Sequence, residues 1–554
     1  MRYTTALLLG CILFFTGTAQ RIYRSNSVLA SGEWYKISVK EAGVYRVSIS
    51  LLQSLGVNVS NLQSSSIRLF GNGGQMLPEQ NAIVPLDDLT ENAIQIVDGG
   101  DGVLSGSDYF LFYSNGPQQW IKDSANKRFR HQKNLYSNEA FYFINIGGSG
   151  LRIQNRTVGG AANQVVTAFQ DRYFHERDTI NFLRSGKEWY GEEFSNTPGS
   201  TTTRTFSINV PNLLPAPVQL VSNVAARSNG ASSSFLIRVN NAAVAQHTVS
   251  PVGTGTYDPV ASAHQLVTSF NASQSTIALQ YNYQTGSVNA QGWLNWFELF
   301  PQRQLSMNSV DQLLFRDWET VGPGNVAEFR LQGAVSNTLV WDITDPLRPQ
   351  NMTGVLSGNE FRFVNSAERL REYVAFNQQN FLQPVAVGKI ANQDLHGAPT
   401  TNYIIIAHPS LLQEAQRLAN WHRQNQSLTV VAVSTEQVYN EFASGSQDAA
   451  AIRNFVKMFY DRAGADTAKR PRYLLLFGDA SYDYLNRING NTNLVPCYES
   501  DASLDPLATY TSDDFFGLLD DQDDINRSFP VSLLDIGIGR IPAKTLAEAK
   551  SVVD

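Results

Sequence analysis

The chain has 554 residues, a formal net charge of −7 at neutral pH and only 16% charged residues. Its length exceeds what one hydrophobic core usually serves, which predicts two to four domains. The negative net charge and the absence of any basic run of five residues argue against binding to nucleic acid or to a membrane through a polybasic anchor. The few charged residues and the many Gly, Ser, Thr, Asn and Gln residues are typical of extracellular β-rich proteins.

Residues 1–19 have the pattern of a secretory signal peptide. Arg2 supplies an early positive charge, an apolar stretch covers residues 6–15, and the small residues Gly17 and Ala19 follow it. The apolar run is too short to cross about 30 Å of hydrocarbon, so we expect cleavage after Ala19 and secretion through the Sec pathway. Cys497 is then the one cysteine left, which excludes an internal disulfide.

The sequence up to about residue 364 consists of short β-branched and aromatic runs separated by Gly, Asn, Ser and Pro. Residues 34–39 and 293–300 are examples of such runs. Short strands of this kind between turn signals indicate antiparallel β-sandwiches. We expect an N-terminal β-domain at 20–160 and a second β-sandwich domain at 161–385.

Residues 386–554 have a different pattern, in which apolar runs alternate with helical stripes. The run at 403–407 suits a strand buried on both faces, and further strands are predicted at 428–433, 473–477 and 533–538. Alternating strands and helices require right-handed crossovers and a parallel sheet covered on both faces. The sequence therefore predicts an α/β domain with a parallel sheet after the β-sandwich domains.

Two apolar stripes between these strands have helical spacing. A capping box of Ser410 and Gln413 is predicted to begin the first helix, and a last helix is predicted at 545–554. The first stripe consists of Leu411, Leu412, Ala415, Leu418, Ala419 and His422, and the second of Ile452, Phe455, Val456, Phe459 and Tyr460.

Two polar residues are predicted at the carboxyl ends of the strands, where open α/β sheets bind ligands. Asp479 follows the strand at 473–477, and Arg540 follows the strand at 533–538. The alternative is that Asp479 caps the next turn and that Arg540 is solvated or ion-paired.

An acidic segment near the C-terminal end offers oxygen ligands at short spacing. Clustered carboxylates suit a structural calcium ion, although the spacing is not that of an EF-hand loop, and a solvated acidic turn is the alternative. No other cofactor is expected. The candidate ligands are Asp513, Asp514, Asp520, Asp521, Asp523 and Asp524.

Cys497 is predicted to be a structural cysteine. A cysteine nucleophile needs a base within hydrogen-bond reach, yet the nearest preceding histidine is His422 on a helix stripe, and no histidine follows. His396 and His408 are expected to form loop hydrogen bonds. No Gly-x-Ser-x-Gly elbow, His-Glu-x-x-His pair or Walker lysine loop is present.

Motifs in order along the mature chain resemble the sortases of the type IX secretion system, which are gingipain-type cysteine peptidases. The part from about residue 402 also resembles the first half of the gingipain-type, caspase-like peptidase domain. The motifs are residues 34–37, 43–46, 340–346, 392–397, 438–442, 473–484, 511–517 and 537–540.

The resemblance implies a cysteine peptidase and transpeptidase at the outer-membrane surface of Bacteroidota. Such a sortase removes the C-terminal sorting domain of cargo proteins and joins the new carboxyl end to anionic lipopolysaccharide, together with the β-barrel partner PorV. The family's catalytic histidine and cysteine follow the position of Arg540 by a wide margin. They are therefore expected beyond Asp554, this chain is expected to be an inactive N-terminal fragment, and Cys497 does not match the nucleophile.

Two alternatives remain open at this point. The chain could be a noncatalytic cell-surface protein whose β-sandwiches bind glycans or a partner barrel, because aromatic strands and many amide side chains permit such binding. It could also belong to a gingipain-like secreted endopeptidase, which would share the α/β domain but would not require the long β-rich front.

Overall fold

The computed structural model describes residues 21–527 and 531–554. The predicted signal peptide at 1–19 lies outside the described residues. Within the described ranges, no helix combines the length and the apolar character needed to cross a membrane. The fold is mostly antiparallel β-sheet, followed by one parallel sheet flanked by helices, as the sequence predicts.

The first β-domain is built around a five-stranded sheet. Tyr35, Ile37 and Ile144 from this sheet are fully buried in its core. One strand of this sheet comes from far along the chain, as the pairing of Ile390 with Trp34 shows. In spatial order the strands are Val385–Ile390, Glu33–Val39, Ala140–Ile146, Ile67–Phe70 and Glu91–Asn92.

Smaller elements complete the first β-domain. A three-stranded sheet packs its Phe110 and Phe112 into the same core. Its strands are Gly43–Ser48, Tyr109–Ser114 and Gln95–Val97; the other elements are the helix Ile49–Ser54, the pair Leu62–Gln63 with Val103–Leu104, the hairpin Gln119–Asp123 with Arg128–Gln132, and 3-10 turns at Val28–Ala30 and Ser64–Ser66.

The middle sandwich consists of two antiparallel sheets around one core that includes Phe235, Tyr281 and Phe297. The strands Ser233–Val239 and Thr276–Thr285 alternate buried residues with more exposed ones, as expected when one face of their sheet packs inward. One sheet contains Tyr173–Glu176, Gln291–Phe300, Pro217–Arg227 and Ser262–Asn271, with Glu193–Ser195 also paired to Gln291–Phe300; the other contains Thr203–Asn209, Thr276–Thr285, Ser233–Val239 and Ala242–Val249.

A further sandwich has its own core around Phe315, Phe329 and Tyr373. One sheet contains Gln154–Arg156, Gln350–Met352, Thr338–Asp342, Glu372–Asn377 and Gln312–Arg316; the other contains Gln164–Val166, Val326–Gln332, Glu360–Ser366 and Gly354–Ser357; the pair Ala168–Gln170 with Gln302–Gln304 lies beside them.

Strand pairing crosses the domain boundaries that the sequence predicts. The predicted second domain at 161–385 holds the cores of two sandwiches rather than one. Gln154–Arg156, placed before the boundary, pairs with Gln350–Met352. Val385–Ile390, placed at the start of the α/β domain, belongs to the sheet of the first β-domain. Long-range pairing of this kind leaves no local trace in the sequence.

The α/β domain contains a four-stranded parallel sheet. Apolar residues of the central strands, such as Ile404, Ile405 and Leu476, are buried on both faces of the sheet. The spatial order of the strands is Val430–Ser434, Tyr403–Ala407, Tyr473–Phe477 and Gly537–Ile541; the helices are Leu412–Asn425, Thr435–Phe442, Ala449–Ala463 and Leu546–Val553; a pair Tyr498–Glu499 with Thr511–Ser512 and 3-10 turns at Pro409–Leu411 and Asp514–Gly517 complete the domain.

Helices cover both faces of the parallel sheet, which confirms the predicted fold class. Ala415 and Ala419 of the first stripe pack against Ile405 and Phe477 on one face. The whole second stripe, which lies on Ala449–Ala463, is buried against the opposite face. The helical spacing of apolar residues therefore identified the buried side of both helices.

Two local predictions are wrong. Ser410 does not cap the first helix, because Pro409–Leu411 forms a 3-10 turn that begins after His408, whose ring accepts a hydrogen bond from the Ser410 main chain. The last strand begins at Gly537 rather than at residue 533. Leu533 is exposed, and the Asp535 carboxylate accepts a hydrogen bond from Leu519 N, which holds this segment outside the sheet.

Candidate functional site

The order of the parallel strands defines a position where ligands bind in open α/β sheets. Tyr403–Ala407 and Tyr473–Phe477 are neighbours in the sheet. The first leads to Val430–Ser434 at one edge of the sheet, and the second leads to Gly537–Ile541 at the other edge. Crevices form outside the carboxyl ends of strands at such a switch point. His408 and Asp479 follow these two strands, so we call the surroundings of Asp479 the carboxyl edge.

Asp479 is held at the carboxyl edge by its own main chain. Its N–H donates to Ala543 O at 3.1 Å, and its carbonyl accepts from Leu494 N and Val495 N at 3.0 Å each. The carboxylate accepts a hydrogen bond from the Thr492 hydroxyl and lies 3.6 Å from Lys544 Nζ. Asp479 therefore braces the loop at 478–495 and leaves a partly exposed carboxylate in the crevice.

Arg540 lies inside the strand Gly537–Ile541, which corrects its predicted position after the strand. Its guanidinium forms a bidentate pair with Asp513, at 2.8 Å from Nε and 2.6 Å from Nη2. Nη1 also donates to Gly478 O at 3.0 Å and to Val495 O at 2.7 Å. The ion-paired alternative therefore describes Arg540, which fastens the loop at the carboxyl edge to the sheet.

Cys497 is buried and has no histidine among its hydrogen-bond partners in the described part of the chain. Its Sγ lies 3.4 Å from Glu499 Oε1 and 3.8 Å from Ser481 O. Burial and the Glu499 carboxylate raise the pKa of the Cys497 thiol far above its usual range. A thiol that is held protonated is a poor nucleophile, which favours the predicted structural role.

Glu499 joins the carboxyl edge to the middle sandwich. Its side chain is fully buried, and Oε2 accepts from Gly186 N at 2.7 Å and from the Ser185 hydroxyl at 3.2 Å. Oε1 accepts from the Thr511 hydroxyl at 2.7 Å. Gly186 has a φ of +85°, and a Cβ there would lie 2.2 Å from Ala502 O, so the close approach of the two domains requires glycine.

A cavity of about 380 Å³ opens at the carboxyl edge. It has the size of a small-ligand pocket, but two of its charged groups already form a pair, because Lys544 Nζ lies 3.6 Å from Asp479. Its lining includes Arg184, Asp479, Ser481, Thr492, Thr511 and Lys544.

His396 forms a buried ionic cluster away from the carboxyl edge. Nδ1 lies 2.6 Å from Glu441 Oε2, Nε2 lies 2.9 Å from Asp87 Oδ1, and the ring stacks on Phe442. Burial alone would lower the pKa of His396, but hydrogen bonds to Asp87 and Glu441 raise it to about 9. Both ring nitrogens are occupied, so His396 is a joint between the first β-domain and the α/β domain.

The other two histidines of the α/β domain also lack catalytic partners among the described residues. His408 Nδ1 lies 2.8 Å from the Ser410 hydroxyl, and burial lowers the pKa of His408. His422 bonds Gln426 within its own helix, and its ring packs edge-on against Tyr403. Both therefore form the local contacts expected of them.

The acidic segment does not form one cluster. Asp513 pairs with Arg540, and Asp521 pairs with Lys457 at 2.9 Å. Asp514 lies in a 3-10 turn, and Asp524 accepts from Asn526 N.

Asp520 and Asp523 instead meet Asp535, and their carboxylate oxygens lie within 4.8 Å of one another. The Tyr460 hydroxyl lies 2.9 Å from an Asp520 oxygen and 3.0 Å from an Asp535 oxygen, so it can donate to either carboxylate. Three carboxylates at this distance can offer oxygen ligands to a calcium ion. Calcium binding stays a prediction, now with Asp535 as a ligand that the spacing of the acidic run did not include.

The sequence did not identify Glu499, Glu441 or Asp87 as site residues. Each makes its contacts across a long sequence separation, such as Asp87 with His396, 309 residues away. The local signal for the two glutamates is a single aromatic neighbour, Phe442 beside Glu441 and Tyr498 beside Glu499, because a carboxylate buried with such a neighbour requires partners.

Residues 396–554 match the model of peptidase family C25. A crystal structure of dimeric latent PorU from Porphyromonas gingivalis is 26% identical in sequence and has a TM-score of 0.83, covering 96% of this chain and 50% of that one. No curated protein matches the chain. This chain thus spans about half the length of the PorU structure.

Other solved structures are far less similar. The CBM36-1 domain of a xylanase from a Trinervitermes trinervoides hindgut metagenome has 4% identity and a TM-score of 0.15, covering 23% of this chain and 96% of that one. The δ-endotoxin Cry8Ea1 from Bacillus thuringiensis has 11% identity and a TM-score of 0.17, covering 46% of this chain and 55% of that one. Neither supports an inference.

The resemblance that the sequence motifs indicate is confirmed. The chain has a PorU-like fold, and its α/β region resembles the PorU-like cysteine peptidases of the gingipain family. The similarity includes the β-rich front as well as the α/β region, since it extends over 96% of the chain.

Proposed function

We propose that this chain is part of a sortase-like cysteine peptidase and transpeptidase of the type IX secretion system. In this proposal the enzyme removes the C-terminal sorting domain from cargo proteins and attaches the cargo to anionic lipopolysaccharide. The observation that carries the proposal is the similarity to PorU over the β-rich front and the α/β region together.

The chemistry of the proposed reaction follows that of cysteine peptidases. A cysteine thiolate attacks the peptide carbonyl of the cargo, the sorting domain leaves with its new amino terminus, and the cargo remains as a thioester. An amine on the acceptor sugar attacks the thioester carbonyl and releases the thiolate, or water takes the place of the amine. None of the residues described above is assigned to these steps.

The described residues have a supporting role in this proposal. Arg540 and Asp479 fix the loop that follows the strand Tyr473–Phe477, and Glu499 holds that loop against the middle sandwich. His396 joins the first β-domain to the helix that contains Glu441. These buried polar joints make the β-rich front and the α/β domain a connected support for a peptidase site.

The location and partners belong to the same proposal. The signal peptide pattern at 1–19 supports export through the Sec pathway, and the composition suits the cell surface. We propose the outer-membrane surface as the location, with the β-barrel protein PorV, cargo proteins with C-terminal sorting domains and anionic lipopolysaccharide as partners.

A structural calcium ion at Asp520, Asp523 and Asp535 is a separate proposal, supported by the approach of three carboxylates within 4.8 Å. Bound calcium would relieve their mutual repulsion and raise the temperature of unfolding. Thermal unfolding in calcium is therefore expected to shift downward after EDTA is added. An unchanged midpoint would rule the ion out.

Two other functions differ from the proposal in what they predict. A noncatalytic surface protein that binds glycans would not be needed for cargo cleavage. A gingipain-like secreted endopeptidase would degrade protein substrates but would not be needed for surface attachment. The similarity of the β-rich front to PorU favours the sortase over both.

Deletion of the gene in its native strain tests the proposed function. We expect cargo proteins to keep their sorting domains and to lose their attachment to lipopolysaccharide, as seen in immunoblots of cell-surface and culture fractions. Complementation with the gene should restore both. Normal cleavage and attachment in the deletion strain would contradict the sortase function.

A further inference from the structure

A cavity of about 910 Å³ lies where the first β-domain, the middle sandwich and the α/β domain meet. The first β-domain contributes the segment at 75–83 and the hairpin Gln119–Asp123 with Arg128–Gln132. The middle sandwich contributes Glu188 and Trp296, and the α/β domain contributes Asp501. We call this space the interdomain cavity; its volume is at the upper end of the range for ligand pockets.

Carboxylates outnumber cationic groups in the lining of the interdomain cavity. The cationic groups are Arg130, His131 and Lys187, and the carboxylates are Glu79, Glu176, Asp178, Glu188 and Asp501. Lys133 and Arg487 pair with Asp178 from outside the lining, so the carboxylate to consider is the one that has no cationic partner, Glu188.

Two of these cationic groups, Lys187 and His131, are already paired with carboxylates. Lys187 Nζ lies 2.7 Å from Glu79 and 2.9 Å from Asp501. His131 lies between Glu176 and Glu298, at 2.7 Å from each. Burial alone would lower the pKa of His131, but these two carboxylates raise it above its usual value. Glu79, Glu176 and Asp501 therefore each have a cationic partner.

Glu188 has no cationic partner among the described residues. Its Oε1 accepts from Asn295 Nδ2 at 2.7 Å, and its Oε2 accepts from the Tyr190 hydroxyl at 2.9 Å, so both contacts are neutral. Burial raises the pKa of Glu188, and the charges of Glu176 and Asp501 add to the effect. A partly buried carboxylate in this environment is stabilised when a cation approaches it.

Asp178 also lines the cavity, but its charge is already compensated by two cations. Its side chain is only 6% exposed, and Oδ2 binds Lys133 at 2.8 Å and Arg487 at 2.7 Å. Its other oxygen, Oδ1, is buried and accepts no hydrogen bond from the described residues. A buried acceptor without a donor costs free energy, but this oxygen has almost no accessible surface and is therefore not part of the proposed contact.

Aromatic and strand-edge groups complete the lining. Trp296 is partly buried, lines the cavity and offers a ring face that favours cations. The hairpin strand Gln119–Asp123 pairs only with Arg128–Gln132 within the described residues, so its other edge has no strand partner and is a candidate for pairing with an extended backbone. Gln119 and Ile121, two positions apart on this strand, both line the cavity.

We propose that the interdomain cavity binds an extended peptide through a lysine or arginine side chain that reaches Glu188. The ammonium or guanidinium group supplies the positive charge that Glu188 lacks, Trp296 contacts that charge, and the unpaired hairpin edge holds the peptide backbone. This binding does not depend on the proposed peptidase activity.

Calorimetric titration of the full chain with acetyl-Lys-Lys-Lys-amide tests the proposal. We expect saturable binding that weakens as salt concentration rises. The same peptide with acetylated ε-amines should bind at least about tenfold more weakly, because it has lost the charges. Equal affinity for the two peptides, or no binding of the charged peptide at millimolar concentration, would overturn the proposal.

Two variants locate the binding. Glu188→Gln keeps the shape of the side chain and can keep the hydrogen bond from Asn295, while its amide N–H donates to the Tyr190 hydroxyl instead of accepting from it. It should weaken tri-lysine binding by roughly tenfold or more. Trp296→Leu should weaken it by a smaller factor. Glu319→Gln is the matched control, because Glu319 is exposed and outside the cavity. Thermal unfolding verifies that each variant is folded, and wild-type affinity in both folded cavity variants would contradict the assigned site.

Discussion

The carboxyl edge and the interdomain cavity contain the same kinds of buried polar groups but differ in how those groups are paired. At the carboxyl edge, Arg540 uses Nε and both Nη atoms, and Glu499 accepts through both oxygens. In the cavity, Glu188 has no cationic partner among the described residues. Buried polar groups with complete pairing hold domains together, whereas incompletely paired groups in a cavity indicate a ligand.

Arg540→Ala should have the largest effect on stability. It removes the bidentate pair with Asp513 and leaves the carbonyls of Gly478 and Val495 without their donor. Breaking a well-paired, largely buried ion pair costs about 3–5 kcal/mol, which lowers the midpoint of unfolding of a domain of this size by roughly 10 °C.

Differential scanning calorimetry measures this change, and Arg369→Ala serves as the control because Arg369 is exposed. The control should melt within about 2 °C of the wild type, as surface substitutions usually do. If Arg540→Ala also melted within that range, the carboxyl edge would not be the structural joint described above.

The ionic cluster of His396 predicts a pH dependence of stability. Its pKa is about 9 in the folded chain and about 6.5 when unfolded. The protonated ring therefore stabilises the folded state fully below about pH 6.5, and this contribution, about 3 kcal/mol, is lost as the pH rises through 9.

Unfolding midpoints measured at pH 6 and pH 9.5 test whether stability falls as the pH rises. The wild type should lose stability between the two values by more than His396→Gln does, because the variant lacks the titrating ring. Other groups, including His131 with its raised pKa, are common to both proteins and cancel in the comparison. An identical pH dependence in the two proteins would show that His396 is not charged in the folded chain.

The parts of the fold that the sequence could predict are those with a local pattern. The runs at 403–407 and 473–477 and the helix stripes follow from burial on one or both faces. The strand Gly537–Ile541 was misplaced because it contains two glycines and follows the more apolar but exposed Leu533 and Leu534. Hydrophobicity favours the wrong segment here, and the parallel register with Tyr473–Phe477 decides the outcome.

The parts that the sequence could not predict depend on contacts between distant residues. Val385–Ile390 joins the first sheet through a partner more than 300 residues earlier. Glu188 and Asp501 line one cavity although they lie in different domains. The position of Asp479 could be predicted, because it directly follows a strong strand, whereas the pairing of Arg540 with Asp513 required the structure.

Cys497→Ala should have the smallest effect on stability. The thiol fills a buried position and makes only two weak contacts, so its loss costs about 1 kcal/mol. In the folded wild type, the Cys497 thiol should also react with a thiol reagent far more slowly than in the unfolded chain, because its pKa is raised by burial.

The same substitution tests most directly whether the carboxyl edge is structural rather than catalytic. The deletion strain is complemented with the gene carrying Cys497→Ala, and the sorting-domain cleavage of cargo is measured by immunoblot. We expect cleavage at the wild-type level. Loss of cleavage by a variant that accumulates and melts like the wild type would contradict the account and identify Cys497 as a catalytic residue.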